Sequence, residues 1–131
     1  LNNLTPHEIP ENVLNVDSAL EMLGGDMDLL REVVEMFLTD LPNKLEELRT
    51  GIAQSDPDKV RRVAHSLKGA AANIAAEDVR SSAFEIEQLA SNGDLDSVVT
   101  RVPELERRIQ ALVEAIRVLQ QEPPKAMSRP E

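Results

Sequence analysis

Apolar residues recur at helical spacing through most of the chain, and no segment alternates apolar with polar positions as a half-buried strand would. Leu30, Val34, Phe37, Leu41, Leu45, Leu48 and Ile52 follow at steps of 4, 3, 4, 4, 3 and 4, one face of a long helix that starts at Asp26. Pro42 falls inside this stripe. It lacks an amide hydrogen and crowds the preceding turn, which predicts a kink or brief break near Thr39 to Leu41. The third helix has Val60, Ala64, Leu67, Ala71 and Ile74 as its stripe, Ser55 or Asp56 to cap it and Pro57 at its first position. A tight connection near Ala75-Ala76 leads to a fourth helix with Val79, Ala83, Ile86 and Ala90 inward, closed by Gly93. Asp94 then caps the last helix, where Leu95, Val98, Val102, Leu105, Ile109, Leu112, Ile116 and Leu119 form a heptad seam suited to bundle packing. Pro103 is placed to bend its first half.

Upstream of the long helices, Asp17 is placed to cap a short helix over Ser18 to Leu23, with Gly24-Gly25 ending it. Residues 1–15 hold Pro6, Pro10 and four asparagines without a helical period, the pattern of a lead-in or linker. Beyond Gln121, residues 122–131 contain three prolines and no apolar period, the pattern of a disordered tail. Residues 16–121 therefore predict an all-α domain, an up-and-down antiparallel four-helix bundle with a short extra N-terminal helix. At 131 residues the chain buries about two-thirds of its unfolded surface, enough for a core without covalent staples. Its first residue is Leu1, which suggests an excised or processed piece of a longer polypeptide.

Charge narrows the partners. With 14 basic and 24 acidic residues the net charge is −10, which disfavours nucleic acid and anionic membrane as general targets. The absence of cysteine excludes disulfides, thiolate metal sites and cysteine nucleophiles. The two histidines, His7 and His65, cannot form a multi-histidine metal site, and without a Glu-x-x-His pair a carboxylate metal bundle is disfavoured. His7 lies between Pro6 and Glu8 in the lead-in and has no assigned role. No apolar run approaches the roughly 20 residues that span a bilayer. Phe37 and Phe84 are the only aromatic residues, too few for a base-stacking platform.

One stretch departs from this acidic background. Residues 59–76 carry Lys59, Arg61, Arg62 and Lys68 and no Asp or Glu, a local +4. A charge run alone is usually a solvated helix face, but its companions here are unusual. Arg61, His65, Lys68, Gly69 and Ala72 share one helical face, and His65 stands one step from the buried stripe. A mid-helix glycine costs about 1 kcal/mol relative to alanine. Gly69, one turn beyond His65, either packs closely against another helix or leaves the ring open to a bulky visitor. An imidazole with its ordinary pKa of about 6.5 is mostly neutral and nucleophilic at cellular pH. The Lys68 ammonium could offset the charge of a phosphoryl group in transfer. If the chain turns at Ala76, His65 lies 11 residues before the turn and Glu87 lies 11 after it, at one height on antiparallel helices. A Glu87 carboxylate there could accept a hydrogen bond from one ring nitrogen and leave the other free to attack.

At Ala64-His65-Ser66-Leu67-Lys68-Gly69 the sequence resembles the histidine-containing phosphotransfer (HPt) domains of two-component phosphorelays. The likeness runs through Leu-Gly-Gly-Asp at 23–26, Phe-Leu-Thr-Asp-Leu-Pro at 37–42 and Ile86-Glu87. Ala75 departs from the pattern, which commonly has glycine there. The resemblance implies that His65 is the phosphoacceptor, that Lys68 assists the phosphoryl group and that Gly69 makes room for a partner. It implies response-regulator receiver domains as partners, with the Mg²⁺ and acidic pocket on their side and no cofactor bound by this chain. A histidine kinase is a further partner of such systems. The sequence has no Gly-rich nucleotide loop, so a phosphohistidine carrier without ATP-dependent kinase activity of its own is expected, alone or within a hybrid histidine kinase. A cytoplasmic, monomeric isolated domain follows from the same reading. Two alternatives stay open: a chemotaxis-type kinase's phosphoacceptor domain, charged from ATP by a separate kinase domain, and a non-catalytic helical interaction module. An ordinary sensor kinase's dimerisation domain fits less well, because Ser66 follows His65 where an acidic residue usually stands.

Overall fold

Four of the five α-helices begin where a short polar side chain takes up a backbone amide that the first turn leaves unpaired. Asn15 accepts from the amide of Ser18 and starts α1, Val16–Met22. Asp26 accepts from Leu29 at the start of α2, Met27–Ala53, and Asp56 from Lys59 at the start of α3, Pro57–Asn73. Helix α4, Glu77–Ser91, begins without a side-chain cap, and Asp94 caps α5, Leu95–Gln120. The computed structural model describes residues 5–121, which contain these helices, one short 3-10 turn at Pro6–Glu8 and no strand. The turns use backbone of positive φ: Gly24 and Gly25 after α1, Gly93 after α4, and two residues other than glycine, Ser55 and Ala75.

Packing follows the predicted stripes. Helices α3 and α4 lie most extensively against each other, α2 packs on α3, α5 on α4, and α2 and α5 close the bundle. Short links between successive neighbours make this the expected up-and-down arrangement. The residues of the α3 and α4 stripes are all buried, as are Leu30, Val34, Phe37, Leu41 and Leu48 of α2 and Leu105 to Leu119 at the heptad positions of α5. Leu45, Ile52, Leu95 and Val102 are half-buried at the margins. This core supports α3 and α4 along their length and so fixes the backbone from which the side chains of their shared outer edge project.

Three expectations need correction. The first helix starts two residues early, at Val16, because Asn15 rather than Asp17 takes the capping role. Helix α2 runs through Pro42 without a break: the residues before and after it bury one continuous stripe against the core, which outweighs the missing amide bond. The lead-in is part of the packed structure from Pro6 onward, with Ile9 and Leu14 buried in the core. It is also tied to the α3–α4 turn, since the amide of Asn15 donates to the carbonyl of Ala75 and that of Asp78 to Asn12. Isolated apolar residues carry no period, which is why the sequence pattern did not reveal them. The tail expected at 122–131 lies outside the described residues.

Candidate functional site

The edge between α3 and α4 brings together three of the predicted side chains. His65 Nδ1 lies 2.8 Å from Glu87 Oε2, and Lys68 Nζ lies 2.8 Å from Glu87 Oε1. The imidazole is 64% exposed whereas the Glu87 side chain is only 13% exposed, so the carboxylate is an inner support and the ring is the outer, reachable group. Oε1 is sealed from solvent, and the Lys68 ammonium is its charged partner. Lys68 stands in turn over the ring of Phe84, 5.2 Å from its centroid.

Electrostatics fix the state of the central carboxylate. Partial burial opposes the charged form of Glu87, but hydrogen bonding and charge from Lys68 and His65 outweigh it and hold the carboxyl below the ordinary glutamate value. An ionised carboxylate only accepts hydrogen bonds, so the 2.8 Å contact requires Nδ1 to carry the proton. In the neutral ring the lone pair then resides on Nε2. The histidine is thereby held in one tautomer with its unprotonated nitrogen away from its support.

The other predicted residues divide. Gly69 is exposed on α3, and a Cβ built there would meet nothing within 4 Å. The close-packing explanation for this glycine is therefore excluded, and the open-face explanation stands. Ala72 is also exposed, one turn further along. Arg61 is not drawn into the cluster: its guanidinium turns back to Asp58 at 2.9 Å, and Arg62 pairs with the same carboxylate. With Asp58 just before the basic stretch and Glu87 across from it, two carboxylates halve the local +4. The charge count over 59–76 left out both acids, since Asp58 precedes the window and Glu87, although expected beside His65, comes from a different helix. Phe84 was also missed, since its placement over Lys68 depends on how α3 and α4 pack.

No three His, Cys, Asp or Glu side chains among the described residues are grouped to hold a metal ion, and no helix there is long and apolar enough to cross a membrane. A wide depression on the surface, lined by Arg31, Glu35, Met36 and Gln120 among others, lies apart from His65 and shares none of its groups.

A helical bundle that presents one oriented histidine from its surface is the class of protein these features define. The comparisons with known proteins agree. The model of the Hpt domain family matches residues 32–117, about two-thirds of the chain, and the chain belongs to that family. It is thus a phosphotransfer domain of two-component systems, whose members work with receiver domains and kinases in phosphorelays. Its fold is similar to the crystal structure of the HPT domain from the Hpt sensor hybrid histidine kinase from Shewanella. The TM-score is 0.75 at 23% identity, covering 87% of this chain and 99% of that one. No curated protein matches the chain.

Proposed function

We propose that His65 accepts a phosphoryl group on Nε2 from the aspartyl phosphate of one receiver domain and passes it to the aspartate of another. The observation that carries this reading is the 2.8 Å contact from Nδ1 to Glu87, which leaves Nε2 as the free nucleophile on a ring open to a partner. The Nε2 lone pair attacks phosphorus, the bond from phosphorus to the aspartate oxygen breaks, and the carboxylate leaves as an anion. No proton has to move. The ring keeps its Nδ1 proton and becomes cationic as the Nε2–P bond forms, and Glu87 faces that developing charge. Return transfer reverses these bond changes, with a receiver carboxylate as nucleophile and neutral imidazole as leaving group.

Lys68 supplies positive charge beside the transferring group, a part that needs its ammonium to share itself between Glu87 and the phosphoryl oxygens. Gly69 and Ala72 keep the approach low enough for a receiver to seat its active site over the ring. Arg61, one turn before His65 and half exposed, belongs to the rim of that docking face, with Asp58 as its resting partner. The acidic pocket and Mg²⁺ belong to the receiver. We place the exchange in the cytoplasm.

The test is phosphoryl uptake from a labelled phospho-receiver by wild-type protein and by His65→Gln. The wild type takes up label and the variant takes up none. Equal uptake by the variant would end the proposal, and uptake only from a kinase domain with ATP would assign the site to the chemotaxis-type alternative.

A further inference from the structure

Phe84 is one of two aromatic residues in the chain, and the two are used in opposite ways. Phe37 is buried in the core at 7% exposure, whereas Phe84 leaves 42% of its surface outside, so core packing does not account for it. Its ring lies under the Lys68 ammonium at 5.2 Å from centroid to Nζ, within the range at which a cation is attracted by an aromatic face. Phe84 and Glu87 are three residues apart on α4 and meet the same lysine from α3, one with a π face and the other with a charge.

We infer that Phe84 is a positioning residue for phosphotransfer, acting through Lys68; the inference rests on the reading of His65 and Lys68 given above. In the resting protein Lys68 is committed to Glu87, and a phosphoryl group on His65 competes for the same ammonium. To serve the phosphoryl oxygens, Lys68 gives up part of that ion pair. The Phe84 face attracts the ammonium without carrying a countercharge of its own. It keeps the lysine folded over the α3–α4 edge while the charged partner changes from carboxylate to phosphoryl group. A lysine held only by Glu87 would either stay with it or extend into solvent, where entropy favours many rotamers.

The experiment measures single-turnover transfer from a phospho-receiver across receiver concentrations, which separates the limiting rate from half-saturation. Removing the π face with Phe84→Leu keeps an apolar side chain and lowers the limiting rate about two- to fivefold, the size of an exposed cation–π contact. Half-saturation stays within about twofold, and Phe84→Tyr restores the rate. In a Lys68→Met background Phe84→Leu has no further effect, because the lysine through which Phe84 acts is gone. An unchanged limiting rate in Phe84→Leu, an equal loss in the Lys68→Met background, or a loss confined to half-saturation would overturn the inference. A second readout does not depend on transfer: the Lys68 ε-methylene protons show an upfield ring-current shift that disappears in Phe84→Leu. Its absence from wild type would also overturn the inference. Failure of wild-type uptake, by contrast, strikes at the role of His65 and leaves the ring-current result to be judged by itself.

Discussion

Gly51, in the last turn of α2, and Gly69, in the body of α3, both occupy helical positions where alanine would be favoured by up to about 1 kcal/mol. Their surroundings are opposite. A Cβ on Gly51 would lie 2.9 Å from Val60 Cγ2 and 3.3 Å from the Val60 amide nitrogen, so the missing side chain lets the end of α2 close onto the start of α3. A Cβ on Gly69 would meet open space. The first glycine is explained by this molecule alone, because a neighbour already occupies the vacancy. The second has no internal explanation and lies one turn from an exposed, oriented imidazole. Only a helical glycine whose space the fold itself leaves unused is a candidate for a docking position.

The strongest way to break this comparison is to fill the open side. Gly69→Leu should slow transfer from a phospho-receiver about 100-fold, because a displacement near 1 Å between reacting groups carries a penalty of that order. The same variant should melt higher than wild type, since leucine gains most of the roughly 1 kcal/mol that glycine loses in a helix. Slower transfer with greater stability is the expected signature, checked by quench-flow transfer and thermal melting. Parallel loss of both would assign Gly69 to packing.

On the filled side the signs reverse. Gly51→Ala should destabilise the fold by about 1 kcal/mol: overpacking against stiff Val60 and its backbone costs roughly 1–3 kcal/mol, partly offset by helix propensity. The melting temperature should fall by about 4 °C, with transfer by the folded protein unchanged. A Gly51→Ala protein that melts at or above the wild-type temperature would remove the contrast.

A third prediction sharpens the open side through pH. The folded-state pKa of Glu87 is lowered, so its contribution to stability is fully present above the ordinary value of 4.5 and is lost as pH falls through the depressed folded value. Glu87→Gln lacks this contribution. Its deficit in melting temperature relative to wild type should be largest above pH 4.5 and should shrink as the solution is acidified below it, as followed by thermal melts across that window. A constant deficit would mean that the carboxylate is not selectively stabilised in the fold.

The smallest expected effect lies at the turn between the two helices. Ala75 has φ +58°, a conformation that costs an L-residue about 1–2 kcal/mol and glycine almost nothing. Glycine also gives the unfolded chain more freedom, so Ala75→Gly should stabilise by about 0.5 kcal/mol and raise the melting temperature about 2 °C. A destabilised variant would show that the alanine methyl is needed where Ala75 packs against the core.

Caps at Asp26, Asp56 and Asp94 and the stripes of α3 and α4 were legible because each depends on chemistry within one helix. The pairing of His65 with Glu87 was legible by counting equal distances from a turn near Ala76, since antiparallel helices bring equal offsets to one height. What escaped depends on contacts between elements. Gly51 looks ordinary until Val60 is seen opposite it, and Phe84 looks like an exposed ring until Lys68 is found over it. Ile9 and Leu14 enter the core from a segment without periodicity, and Asp58 draws Arg61 and Arg62 back from a face where sequence alone left them free. Pro42 misled in the other direction, because tertiary burial on both sides overrode a local breaker.

Glu87 fixes the His65 tautomer, and in the proposed transfer Nε2 is therefore the atom that receives the phosphoryl group. The most direct measurement is nitrogen–phosphorus coupling in ¹⁵N-histidine-labelled protein after charging by a phospho-receiver. One phosphorus resonance coupled to Nε2 of His65 is expected, with Nδ1 still protonated. Coupling to Nδ1, or phosphorus on any other residue, would contradict it.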